Sequence, residues 1–149
     1  MILFIDTTQG DNIIVAVKKN IRGQDEIAAQ KKIKAKYAQA EKLLPMIDKM
    51  LAQNKLKIKD IKKIKVVNRG GSPDAAIRTS FTALRIGAVT ANGLGFALRV
   101  PVEGTANGRE KLKKGLTPLD MKNYLTGLKK FNVIEPIYSK EPNITQHGT

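Results

Sequence analysis

The chain of 149 residues contains no cysteine, no tryptophan and a single histidine, His147. Without cysteine there is no disulfide and no thiolate ligand, and one histidine is too few for a zinc or haem site built on imidazole. We therefore expect no metal site. Aromatic residues make up only 5% of the sequence, which argues against a surface on which successive nucleobases stack.

Long apolar runs are also missing from the sequence. None approaches the roughly 18 residues that cross a bilayer. The opening MILFIDTTQG has neither the basic segment nor the small-residue cleavage site of a signal peptide. These features predict a cytoplasmic protein with no membrane partner.

Acidic residues are few, since 13 Asp and Glu stand against 27 Lys and Arg and leave a net charge of +14. Such an excess predicts attraction to RNA or another polyanion. A solvated, lysine-rich surface that favours solubility has the same composition. The charge alone does not separate these two interpretations.

What is present is an apolar fraction of 42%, which favours a folded domain. Its patterning predicts an antiparallel meander of three strands at Ile2–Asp6, Ile13–Lys19 and Glu26–Lys34. A four-turn amphipathic helix follows at 37–51, then a fourth strand at 62–68, a long helix at 79–98 and a fifth strand at 99–105. This order predicts an α/β fold, with a ribonuclease-H-like mixed sheet and flanking helices. Pro45 should bend the first helix or tighten a turn in it.

The remainder of the chain is more polar and divides in two. The sequence of residues 106–132 predicts a linker and a short helix. Thr117 would be the N-cap of this helix and Pro118 its first residue. Residues 133–149 predict a C-terminal segment with a short strand around Val133–Tyr138 and a disordered end. The domain prediction is therefore a lobe at 1–105 followed by these two pieces.

The long helix carries four small residues, Ala83, Gly87, Ala91 and Gly95, at intervals of four. They form a nearly side-chain-free line, although each interior glycine costs about 1 kcal/mol relative to alanine. Close packing against another element can offset that cost through dispersion contacts. The element is either the chain's own sheet or first helix, or a helix of a partner, and both interpretations stay open.

Residues with catalytic chemistry are scarce. Asp6, Thr7 and Thr8 end the first strand, and they form either a nucleotide-binding turn or an aspartate-capped turn, of which the second is favoured. The RGGS at 69–72 lacks the spacing of a P-loop. Arg85 interrupts an apolar helix, and it either pairs with a partner carboxylate or extends past the sheet edge. No acid–base pair is evident, so we expect no enzyme.

Four segments of the sequence resemble the TsaB (YeaZ) family, the non-catalytic subunit of the bacterial machinery that makes threonylcarbamoyladenosine in tRNA. These are ILFIDTT at 2–8, QAEKLLPMIDKML at 39–51, SFTALRIGAVTANGLGFALRVPVEGT at 80–105 and EPIYSKEPNIT at 135–145. The third resembles the family signature SFTGLRIGVATAKGLALAL-IP--G and is the most specific. The sequence departs from the family at Thr79 and Ala83, where glycines are usual, and in the longer loop before them.

The resemblance implies a short form with a single lobe of the actin-like ATPase (ASKHA) fold, without most of the second lobe. ATP or ADP would then bind only at an interface with partners, and residues 6–8 would be a vestigial nucleotide turn. It also implies a scaffold that docks the catalytic TsaD subunit through a helical bundle. The resemblance implies three further partners. These are a TsaE-type ATPase, tRNA contacted indirectly or through the basic surface, and a second copy of the chain.

The interface positions that the resemblance implies lie on the two helices: Leu43, Leu44, Ile47, Leu84, Arg85, Gly87, Ala88, Ala91 and Gly95. On this hypothesis, Gly87→Leu or Ala91→Leu abolishes pairing with the partner and leaves the fold intact. The alternative function is a free-standing, basic tRNA-binding module.

Overall fold

A computed structural model of the protein describes residues 1–21, 24–69, 80–105 and 133–138. Within these ranges lie β1 (Ile2–Gln9), β2 (Asn12–Ile21), β3 (Gln24–Lys34), α1 (Gln39–Gln53), β4 (Lys63–Val67), α2 (Phe81–Leu98) and β5 (Val102–Thr105), with a short 3-10 helix at Ile58–Asp60. The predicted linker, the helix beginning at Thr117 and the C-terminal end fall outside the described residues.

The strands form one sheet in the order β3-β2-β1-β4-β5. The first three strands pair antiparallel, as expected for a meander joined by short turns. β4 lies parallel to β1, and β5 lies parallel to β4, because each follows a helix that carries the chain back to the same end of the sheet. The predicted α/β class and the ribonuclease-H-like mixed sheet are confirmed.

Both α-helices pack on one face of this sheet, α1 over β2 and β3, and α2 over β1, β4 and β5. β1 is central, and its residues Leu3 and Ile5 are fully buried between the neighbouring strands and the helices. α1 contributes an apolar stripe at helical spacing to the same core. Its buried residues are Leu43, Met46, Ile47, Met50 and Leu51.

Most element boundaries differ from the predictions by one to three residues, and the largest differences lie in β1, β5 and the C-terminal segment. β1 continues to Gln9, beyond the predicted end at Asp6. β5 begins at Val102 rather than Arg99, because Arg99 caps α2 in the left-handed conformation with φ 55°. The strand predicted around Val133–Tyr138 is a single parallel bridge between Ile137 and Arg69.

α2 is apolar almost all round, and its 18 residues have a mean hydropathy of 1.2. By length and composition it could cross a membrane, so the expectation that no segment approaches this limit was wrong. Core helices of globular proteins meet the same criterion, and α2 packs one face on the sheet. Only 33% of the segment is buried, which leaves much of an apolar helix exposed.

Candidate interaction surface

The small-residue line of α2 faces the chain's own sheet. Gly87 and Gly95 are both buried. A Cβ atom added to Gly87 would lie 2.7 Å from Thr7 Oγ1, and one added to Gly95 would overlap the side chain of Val102. The Thr7 hydroxyl also donates a hydrogen bond to the carbonyl oxygen of Ala83 at 2.6 Å. Close packing of α2 on β1 and β5 therefore accounts for the line.

The prediction that the small-residue line contacts a partner is therefore corrected, because the line packs on the chain's own sheet. Seven of the nine predicted interface residues are buried within the chain, namely Leu43, Ile47, Leu84, Gly87, Ala88, Ala91 and Gly95. They cannot contact a partner while the helices stay packed on the sheet. The expectation that Gly87→Leu leaves the fold intact is corrected for the same reason. Only Leu44 and Arg85 of the set are exposed.

The opposite side of α2 carries larger apolar residues. Phe81, Val89 and Phe96 recur close to helical spacing and are exposed, Val89 at 69% and Phe96 at 71%. On α1, the neighbouring helix, Leu44 is 51% exposed. We call these four residues the outer helical surface. Apolar residues grouped on one side of a helix, as Phe81, Val89 and Phe96 are, mark interaction sites more often than scattered ones do.

Arg85, on the same side of α2, contacts the C-terminal segment of its own chain. Its Nε donates a hydrogen bond to the Tyr138 hydroxyl at 2.8 Å, and its guanidinium lies 5.7 Å from the centre of the Tyr138 ring. The ring of Phe81 meets Tyr138 edge to face at 4.9 Å. Arg85 therefore has a tyrosine partner within the chain, which neither interpretation of this residue foresaw.

Two asparagines that the sequence reasoning missed hold this C-terminal segment in place. The Asn92 amide donates to the carbonyl oxygen of Ile134 and accepts from its N–H, both at 3.0 Å. The Asn68 amide donates to the carbonyl oxygen of Glu135 at 2.8 Å. Asn92 could have been identified from the sequence, because it places an amide in the middle of a largely apolar helix. These bonds fix residues 133–138 beside β4 and α2.

Asp6, Thr7 and Thr8, predicted as a turn, lie buried in the last part of β1, and the Asp6 carboxylate is satisfied locally. Asp6 Oδ1 accepts from the Thr8 N–H at 2.8 Å and from the Thr8 hydroxyl at 2.7 Å, and Oδ2 accepts from the Gln9 amide at 3.0 Å. These bonds agree with the capped-turn interpretation. Among the described residues, no group of three or more His, Cys, Asp or Glu could hold a metal ion. A nucleotide role for this turn stays a prediction.

The sheet order and the placement of both helices on one face define a ribonuclease-H-like α/β lobe of the actin-like ATPase type. The model of one protein family, described as TsaD, tRNA N6-adenosine threonylcarbamoyltransferase, matches residues 26–106. Because the match spans more than half of the sequence, the chain belongs to this family. No curated protein sequence gives a significant match.

The solved structures that are similar to the chain include two from Pseudomonas aeruginosa. YeaZ from Pseudomonas aeruginosa has a TM-score of 0.55 and 24% identity, over 70% of this chain and 43% of that one. An uncharacterised protein with similarity to peptidase YeaZ, from the same organism, gives 0.55 and 24%, over 70% and 42%. The chain thus spans less than half the length of these structures. The family match and these folds confirm the predicted resemblance to TsaB (YeaZ).

Proposed function

We propose that the chain is a cytoplasmic, non-catalytic scaffold subunit in the formation of threonylcarbamoyladenosine in tRNA. It docks a TsaD-type catalytic subunit through the outer helical surface. Membership of the family and the YeaZ-like fold support the pathway. The observation that carries the docking role is the exposure of Val89 and Phe96 on a helix whose other face is filled by the sheet.

The energetics favour docking through this surface rather than through the small-residue line. The sheet already covers Gly87 and Gly95, so a partner gains nothing from them without unpacking the core. Val89 and Phe96 are largely solvated, and burying such side chains stabilises a complex by about 1.5–3 kcal/mol each. Aromatic groups at the centre of an interface commonly contribute most of its binding energy.

The same surface suits a second copy of the chain, so a homodimer would compete with the complex. The local hydrogen bonds of Asp6 support a non-catalytic role, because this carboxylate is already satisfied by Thr8 and Gln9. ATP or ADP, and a TsaE-type ATPase, would then act only at an interface that the assembled subunits share.

The docking role is tested with the double variant Val89→Glu/Phe96→Glu. We expect the wild-type chain to form a stoichiometric complex with the TsaD-type protein of the same organism. The variant should bind at least about 100-fold more weakly, because two apolar contacts are lost and each 1.4 kcal/mol is a factor of ten. Light scattering after co-purification gives the mass of the complex, and titration gives the affinity.

The matched control is Ile58→Glu, which makes the same chemical change at a residue 40% exposed on the 3-10 helix. It should leave the affinity unchanged. Circular dichroism melting of all variants separates loss of docking from loss of folding. A folded double variant that pairs as well as the wild type would contradict the assignment of this surface.

The alternative function, a free-standing tRNA-binding module, is favoured by the net charge of +14. On this alternative the isolated chain should bind tRNA, with the logarithm of the affinity falling linearly with the logarithm of salt concentration. Filter binding between low and physiological salt measures this slope. Absence of binding, or binding indifferent to salt, would remove the alternative and leave the scaffold role untouched.

A further inference from the structure

The outer edge of β3 offers unpaired backbone groups. Among the residues that the structure describes, β3 pairs with β2 alone, and its 11 residues form one edge of the sheet. The Ala35 N–H donates to the carbonyl oxygen of Asp11 at 2.8 Å. Because antiparallel strands alternate between bonded and non-bonded pairs, the backbone groups of Lys32 and Lys34 point away from β2. An exposed edge of this kind is a template for another strand.

A cleft of about 290 Å³ lies beside this edge, between β3 and α1. Its apolar lining is provided by Ile33, Pro45 and Met46, and Lys31, Lys42 and Lys49 carry positive charge around it. Glu41 is the single acidic residue in the lining, so the cleft has a net charge of +2 from three lysines and one glutamate. An apolar lining with a cationic rim complements an extended segment whose cleft-facing positions, every second residue, carry apolar side chains in the middle and acidic side chains at the ends.

The cleft is separate from the outer helical surface. At 100° per residue, Lys42, Pro45 and Lys49 share one flank of α1, whereas Leu44 lies on the other. Occupation of the cleft therefore leaves the docking surface of the proposed function free. Binding at the cleft does not depend on that function.

We propose that β3 accepts an extended acidic segment of a partner protein as an additional strand of the sheet. Backbone hydrogen bonds to Lys32 and Lys34 would give the segment its register, as in other peptides that extend a sheet. Alternate side chains point to the same face of a strand. The cleft-facing side chains of the segment are therefore every second residue, so that apolar ones in the middle enter the cleft and acidic ones at the ends meet Lys31 and Lys49.

Two other occupants fit the same features less well. A second copy whose β3 paired antiparallel about Ile33, beside the cleft, would bring Lys32 opposite Lys34, and like charges directly across a strand pair are destabilising. RNA phosphates would pair with the lysines, but RNA would not fill the apolar lining and would not form a strand ladder with the backbone donors and acceptors of β3. No aromatic ring is found among the described residues lining the cleft, so bases would have nothing to stack on.

The charge component is tested with a short fluorescent peptide of sequence ETVTVTE, in which the valines and the glutamates share one face of the strand. The peptide is titrated into the full chain and followed by anisotropy. We expect Lys31→Glu/Lys49→Glu to weaken binding by at least about tenfold, since a close pair of opposite charges becomes a repulsive one. The matched control, Lys57→Glu/Lys59→Glu, alters the net charge equally at exposed positions away from the cleft. It should change the affinity by less than about threefold, through long-range charge alone.

The backbone component is tested with Lys32→Pro, which removes an outward N–H on an edge strand, where proline is tolerated. Lys32→Ala removes the same charge and keeps the donor. We expect the proline variant to lose peptide binding, the alanine variant to retain it, and both to melt near the wild-type temperature. Bound peptide should also slow hydrogen exchange at the amides of Lys32 and Lys34.

Several outcomes would overturn the proposal. Equal weakening by both charge-reversal pairs would mean that the peptide senses net charge only, and failure of the wild type to bind would remove the site. Single-stranded RNA that binds more tightly than the peptide, and is lost in the Lys31→Glu/Lys49→Glu variant, would make RNA the occupant. A dimeric mass that this variant abolishes would make it a second copy.

Discussion

Replacing Leu43 with alanine is expected to lower the free energy of unfolding by about 2–5 kcal/mol. Leu43 is fully buried in the core between α1 and the sheet. Removing its branched end loses the transfer free energy of the deleted atoms and leaves a cavity that the sheet cannot fill. Urea unfolding followed by circular dichroism measures the change, provided that the denaturant slope stays constant.

The adjacent residue supplies the control for this experiment. Leu44 follows Leu43 directly but is 51% exposed, so Leu44→Ala should change stability by no more than about 0.5 kcal/mol. It should instead weaken pairing with the TsaD-type protein, because it belongs to the outer helical surface. Equal destabilisation by the two substitutions would show that α1 is rotated relative to the sheet.

The second large effect concerns two glycines of α2 that lie two residues apart. Gly95→Ala should destabilise the protein by about 1–3 kcal/mol, the usual cost of overpacking a well-filled site. The added methyl would overlap Val102 and lie 3.2 Å from the backbone oxygen of Val100. Val102 is 2% exposed and β-branched, so neither its position nor its rotamer can adjust freely.

Gly93→Ala should have the opposite sign. Among the described residues, no atom outside the adjacent residues and the backbone of α2 lies within 4 Å of a Cβ added at Gly93. The substitution therefore gains about 1 kcal/mol of helix propensity without a clash. Thermal unfolding should show the two variants on opposite sides of the wild type, at about 4 °C per kcal/mol for a chain of this size. Stabilisation by both alanines would mean that α2 does not pack closely on β5.

For these glycines the sequence predicted close packing but not the element against which they pack. The spacing of Gly87 and Gly95 predicted a close approach by some element, and the structure contains one. The same spacing was consistent with the sheet and with a partner helix, because both would meet the same smooth line. Only the packing of α2 against Thr7 and Val102 distinguishes them.

The C-terminal contacts were beyond prediction for a related reason. The Asn68 amide bonds to Glu135, which lies 67 positions further along the chain. The Asn92 amide bonds to Ile134, which lies 42 positions further along. Arg85 bonds to Tyr138, 53 positions away. No periodicity links such partners, since each contact depends on where β4, α2 and the last described segment meet.

The sequence by itself determined the order and type of the elements, because alternation and helical spacing are local properties of the chain. It also carried the family motif at 80–105, and with it the α/β lobe. The tertiary structure alone decided which side of α2 is inside. A helix that is apolar all round has no polar face to mark its exterior. The sheet takes the side on which small residues allow the closest packing, and the larger Val89 and Phe96 are left outside.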